Sequence, residues 1–203
     1  MRYLFAIVAG LYFSVSASQP PPRETRDLTC LNYIEIRGET NINNFNLQQI
    51  IQENEICAPR IDGWVHYPGS SSYEIQIPVK NFNANNHFVY QDFLELVNAS
   101  RFPYIMIQIN NDQFKEFYAL KNNHLTQIKI SIAGVSKSVP VECSILECSH
   151  GEKVIIGNKT LKLTDFKLDP PVKSFGLIKV KNELNINFEF KMPEGLFLKI
   201  ADN

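Results

Sequence analysis

The stretch Leu184-Asn185-Ile186-Asn187-Phe188-Glu189-Phe190-Lys191 alternates apolar and polar residues without a break. Successive side chains of a β-strand point to opposite faces, so this segment has one dry face and one wet face as a strand and no coherent face as a helix. Working outward, the same period of two recurs in Tyr73, Ile75, Ile77, Val79, in Ile105, Ile107, Ile109 and in Ile128, Ile130, Ile132. It recurs again in Val139, Val141, Cys143, Ile145 and in Ile178, Val180. Near the start of the chain, Asn32 to Thr40 and Phe45 to Ile56 read as two further strands turning near Asn43-Asn44. Turn chemistry separates the runs at Pro68-Gly69-Ser70, Asn110-Asn111-Asp112, Asn122-Asn123, His150-Gly151-Glu152, Gly157-Asn158 and Lys181-Asn182. Such short links join antiparallel neighbours, because parallel ones need long crossovers. One stretch departs from the rhythm: within Phe88 to Ala99, residues Val89, Phe93, Leu96 and Val97 have helical spacing, and Pro103 follows. The expectation is an all-β antiparallel fold of about eight strands with one short flanking helix.

The N-terminus reads differently. Arg2 precedes an uncharged run from Tyr3 to Phe13, and the small residues Ser14 to Ser18 follow. That is the layout of a secretory signal peptide, with cleavage after Ala17 or Ser18. A membrane-crossing helix needs roughly 20 apolar residues; this run is shorter and is closed by Pro20-Pro21-Pro22, and no later segment is long enough. The organisation expected is a signal peptide over residues 1–18, a Pro-rich N-terminus over 19–29, one β-domain over 30–192 and a C-terminal tail over 193–203. An exported chain implies a periplasmic or secreted location.

Twenty basic residues against 21 acidic ones give a formal charge of −1, and no basic run stands out. Nucleic acid is therefore excluded as an expected partner, since phosphate binding needs a concentrated positive face. The four cysteines, Cys30, Cys57, Cys143 and Cys148, are an even number bound for an oxidising compartment. Cys30 precedes the first strand and Cys57 follows the second, so a hairpin brings them opposite each other, and a Cys30–Cys57 disulfide is expected. Cys143 and Cys148 fall in what reads as one long strand, where their separation of roughly 17 Å is too great for a bond. Free thiols, or a bulge that lets them meet, both stay open.

A family resemblance enters on specific residues. Gln91-Asp92-Phe93-Leu94-Glu95-Leu96, followed by Arg101-Phe102-Pro103-Tyr104-Ile105, resembles the central motif of the YceI-like family, in which an aspartate opens a helical stretch and a hydrophobic-Pro-hydrophobic step leads into a strand. Tyr33 to Asn41 with Phe45 is similar to that family's first strand, and Ile130 to Lys137 to its strand ending in a glycine turn. Gly157, Leu163-Thr164-Asp165-Phe166, Pro170-Pro171 and Gly176 to Val180 continue the pattern in order, in the manner of Bacteroidetes-type members. The better-known members carry an arginine before the aspartate and a histidine shortly after it; here Gln91 and Leu94 stand instead.

The resemblance implies a lipocalin-like barrel in the periplasm that holds a polyisoprenoid or another long-chain lipid. On that basis Ile107, Ile130, Ile132, Ile186, Phe188 and Phe190 are the expected tunnel walls, although an alternating apolar face is far more often plain core. Trp64, the only tryptophan, is expected as a core or barrel-end plug, and Asp92 as a helix cap or local hydrogen-bonding residue rather than a head-group contact. The alternative is a filled barrel acting as an interaction module for an envelope protein. Enzyme signatures are missing: there is no G-x-S-x-G, no phosphate-binding glycine loop, no H-E-x-x-H and no dinucleotide fingerprint. His66, His87, His124 and His150 show no metal-ligand spacing. No catalytic residue, metal or cofactor is expected.

Overall fold

The computed structural model describes residues 32–51, 64–65, 71–120, 124–148 and 152–192. The expected signal peptide, Pro-rich segment, C-terminal tail, Cys30, Cys57, His66 and His150 lie outside the described residues. Strands β1 (Asn32–Thr40) and β2 (Asn44–Ile51) are followed by the two-residue β3 (Trp64–Val65), then β4 (Ser72–Pro78) and the short β5 (Asn83–Ala84). Helix α1 (His87–Leu96) leads to β6 (Tyr104–Asn110), helix α2 (Asn111–Leu120), β7 (His124–Ile132), β8 (Val135–Glu147) and β9 (Lys153–Lys162). The two-residue β10 (Val172–Lys173) and the fourteen-residue β11 (Ile178–Lys191) complete the chain. Eight strands of seven residues or more carry the sheet, in keeping with the alternation of the sequence.

All neighbouring strands pair antiparallel. The hydrogen-bonded order is β3-β4-β6-β7-β8-β9-β11-β1-β2-β5, with β10 beside β11. The last described strand thus pairs with the first, while β3 and β5 remain unjoined ends among the described residues. The described strands form a lipocalin-like curled sheet, a half-barrel. Its inner face gathers Ile34, Ile36, Leu47, Ile75, Ile77, Ile105, Ile128, Ile130, Val141, Ile155 and Phe190 into one buried cluster, joined by Phe93 of α1 and by Val97 at its C-cap.

Local chemistry explains the breaks between elements. The β7–β8 hairpin turns on Ala133 (φ 49°) and Gly134 (φ 79°) between the paired Ile132 and Val135. Two consecutive positive φ values make a type I′ turn, whose twist matches the strands it joins. Helix α1 starts where Asn86 Oδ1 accepts the Phe88 N–H at 2.8 Å. It ends in a Schellman arrangement around left-handed Asn98 (φ 50°), with Asn98 N–H donating to Glu95 O and Ala99 N–H to Leu94 O.

Helix α2 departs from the expectation of a single helix and of a turn at Asn110-Asn111-Asp112. Asn110 Oδ1 accepts the Asp112 N–H at 2.9 Å, so the asparagine cluster caps a helix instead of reversing a strand. Phe114 then packs fully buried against Tyr73, with ring centroids 5.3 Å apart. Turn and cap use the same side-chain-to-backbone bond, and only packing of the downstream aromatic separates the two.

At the packed end, Phe188 and Phe190 stack with centroids 5.4 Å apart, and Phe188 folds over Gly157, where an added Cβ would lie 2.5 Å from its ring. Phe190 is 3% exposed. Phe190→Ala is expected to lower stability by about 3–5 kcal/mol, read as a fall in the urea midpoint with little change in slope.

Candidate functional site

At the opposite end the same inner face leaves space. A cavity of about 710 Å³ lies between β1, β2, α1 and the start of β11. Ile36 and Leu47 come from the first hairpin, Val89, Phe93 and Leu96 from one side of α1, and Ile178, Val180 and Leu184 from β11. Each arrives by a simple periodicity: every second residue on the strands, every third or fourth on the helix. The difference from the packed end is side-chain size. Where Phe188 and Phe190 fill the half-barrel, Val180 and Leu184 do not.

Gly38 shapes the wall. It pairs with Phe45 on one side and Leu184 on the other. A Cβ there would overlap the Phe45 ring and stand 2.8 Å from Leu184. Its absence lets both cavity-lining side chains lean together over β1.

The mouth is polar. Asn43, Asn44, Asn85 and Asn86 contribute to it, and Asp92 reaches from α1 to Lys173 of β10, Oδ1 to Nζ 2.8 Å. Glu95 stands 3.8 Å from the same ammonium. The hydrogen bond and charge of Asp92, helped by Glu95, raise the pKa of Lys173 above its ordinary value. The pair is exposed enough that it contributes little to stability. It sets a fixed charge pair at the entrance, while the lining behind it is uncharged. Asp92 therefore sits mid-helix as an ion-pair partner, and the capping role belongs to Asn86.

None of the six residues expected as tunnel walls lines this cavity. Ile107, Phe188 and Phe190 surround a void of only about 30 Å³, together with Ile75, Ile109, Thr126, Ile128, Cys143 and Ile155. Ile130 is buried in the core, and Ile132 and Ile186 pack against it half-buried. Sequence reasoning found the inner face but not which end of it is hollow. The residues it missed, Ile36, Leu47, Val89, Leu96 and Leu184, carry the same alternation or helical spacing, and nothing in that pattern reports unfilled volume. Trp64 pairs with Ile75 in the edge strand β3.

Cys143 is a free, buried thiol, so it is not bonded to Cys148. Among the described residues no group of three metal-ligating side chains occurs, and no helix is long and apolar enough to cross a membrane.

No protein-family model and no curated protein matches the sequence. Solved structures do match in shape. Burkholderia cenocepacia BcnA aligns over 80% of this chain and 96% of its own, with TM-score 0.55 and 12% identity. A polyisoprenoid-binding domain from Saccharophagus degradans, implicated in plant cell wall breakdown, aligns over 80% and 94%, with TM-score 0.56 and 8% identity. A Campylobacter jejuni YceI protein covers 71% of this chain and 91% of its own at 17% identity, with TM-score 0.45. At these identities the likeness is one of fold. The first two agree with the fold expected from the sequence, all-β and lipocalin-like.

Burial pushes the Cys143 thiol up to about 12, with Glu142 adding to the shift. The thiolate is the reactive form, so Cys143 is expected to resist maleimide at pH 8 in the folded protein and to react fully once denatured.

Proposed function

We propose that this chain is a non-catalytic binding or carrier protein that holds a polyisoprenoid or similar long-chain amphiphile in the cavity between α1, the β1–β2 hairpin and β11. The observation that carries the reading is the apolar-walled space of about 710 Å³ behind a polar mouth, within the range in which protein pockets take small ligands. Its fold is that of a protein described as a polyisoprenoid-binding domain. Each buried methylene of such a ligand stabilises the complex by about 0.8 kcal/mol before association costs. The Asp92–Lys173 pair and the neighbouring asparagine amides form a polar rim around the entrance through which the ligand passes.

The carrier acts, on this proposal, after export to the periplasm; the charged, apolar and small-residue order of residues 1–18 supports it. An envelope protein partner is a second reading. It is favoured by Phe175 and Leu177, which project into solvent beside the mouth at 109% and 73% exposure.

Native mass spectrometry with organic extraction, on protein purified from its own cell envelope, tests the first reading. A bound isoprenoid mass is expected in the wild type. Leu184→Trp and Val89→Trp, which fill the cavity, are expected to weaken isoprenoid binding by at least about tenfold. Ile107→Val, at the distant small void, leaves it unchanged. Retention of ligand by both tryptophan variants would sink the assignment of this cavity.

A further inference from the structure

Buried polar groups of this sheet fall into two kinds. Glu35 is bound by Arg37 at 2.9 Å, and Glu74 accepts hydrogen bonds from Gln76 at 2.8 Å and Gln108 at 2.6 Å. Gln49 differs: it is 1% exposed, and neither its Oε1 nor its Nε2 has a hydrogen-bond partner. Buried amides are nearly always paired, because an unpaired one loses its water and gains nothing.

The position of Gln49 gives the orphan a meaning. Residues two apart on a strand share a face, so Gln49 follows Leu47 on the inner side of β2, and Leu47 lines the cavity. Leu47 pairs with Ile36, a second cavity wall, whereas Gln49 pairs with Ile34, which pairs in turn with Phe188. The row Gln49–Ile34–Phe188 is therefore the layer directly behind the inner end of the cavity, about 7 Å further along the strand. On its far side lies the small void bordered by Phe188, and there Thr126 Oγ1 also lacks a partner.

We propose that Gln49 is the inner polar contact of the cavity and that it selects amphiphiles whose buried end carries an uncharged oxygen, a hydroxyl or a carbonyl. The inference rests on the cavity being an amphiphile site and adds the chemistry of the end that enters first. The Nε2 amide donates to the ligand oxygen, and Oε1 accepts from a hydroxyl. A ligand end that advances one pleat past Leu47 meets both. A phosphate end is disfavoured, because the charged side chains of the lining, Asp92 and Lys173, stand at the mouth and no cation lines the inner wall.

The test uses the full chain and three ligands with one isoprenoid tail: farnesol, farnesene and farnesyl monophosphate, each displacing N-phenyl-1-naphthylamine. Wild type is expected to bind farnesol about tenfold more tightly than farnesene, and the monophosphate more weakly than farnesol. Without a partner inside, the hydroxyl would have to be desolvated for nothing and the order would reverse. Gln49→Met, close in length to the native side chain, is expected to erase the farnesol preference, keep farnesene binding and raise the melting temperature of the unliganded protein. Gln49→Leu serves as the second variant should the first fail to fold. An unchanged farnesol preference in the variant, or a lower melting temperature, overturns the role of Gln49. Equal binding of all three ligands by the wild type overturns it as well while leaving the cavity assignment standing, and binding of none overturns both.

Discussion

The pairing of β11 with both β1 and β9 is the constraint on which the rest of the structure depends. From Leu184 to Glu189 this strand is paired on each edge, to Gly38 through Tyr33 on one side and to Leu161 through Ile156 on the other. It joins the last described strand to the first and forces the sheet to curl. The curl turns a flat alternation of apolar residues into an enclosed inner face. Such non-local contacts carry a large closure entropy, so the apolar burial along β11 has to offset it.

One strand face then serves two purposes. Towards its C-terminal end Phe188 and Phe190 stack and, with Gly157 making room, fill the half-barrel almost completely. Towards its start Ile178, Val180 and Leu184 are too small to do so, and Gly38 withholds a side chain from the facing strand. Filled and hollow regions are therefore separated along a single element by residue volume. Helix α1 borders both regions: Phe93 meets Phe82 edge-on at 5.2 Å in the core and also lines the cavity with Val89 and Leu96.

The outer face of the sheet is managed by ordinary electrostatics. Burial by itself would raise the carboxyl of Glu35, but the hydrogen bond and charge of Arg37, with Asn187 and Asn46, outweigh it and hold the group below its usual value. Its stabilising share is thus present above the unfolded carboxylate range and is lost as the pH falls through the lowered folded value. Gln49, buried on the inner face with neither amide atom paired, contrasts with Glu35 and Glu74, whose carboxylates are both held by neighbouring side chains.

The sequence by itself determined the β-class, the antiparallel order and the inner face, because the period of two is a local property that each strand carries alone. Leu184, Ile186, Phe188 and Phe190 announce their side of the sheet without help from any other segment, and Asn32 to Thr40 was legible to the residue. Two features were decided only in three dimensions. Helix α2 depends on Phe114 finding the Tyr73 pocket, a contact between segments that no window on the asparagines contains. The cavity depends on volumes contributed by three separate elements, so alternation marked Ile107 and Phe188 as readily as Leu47 and Leu184. Periodicity tells which way a side chain points; only the assembled structure tells whether something already stands there.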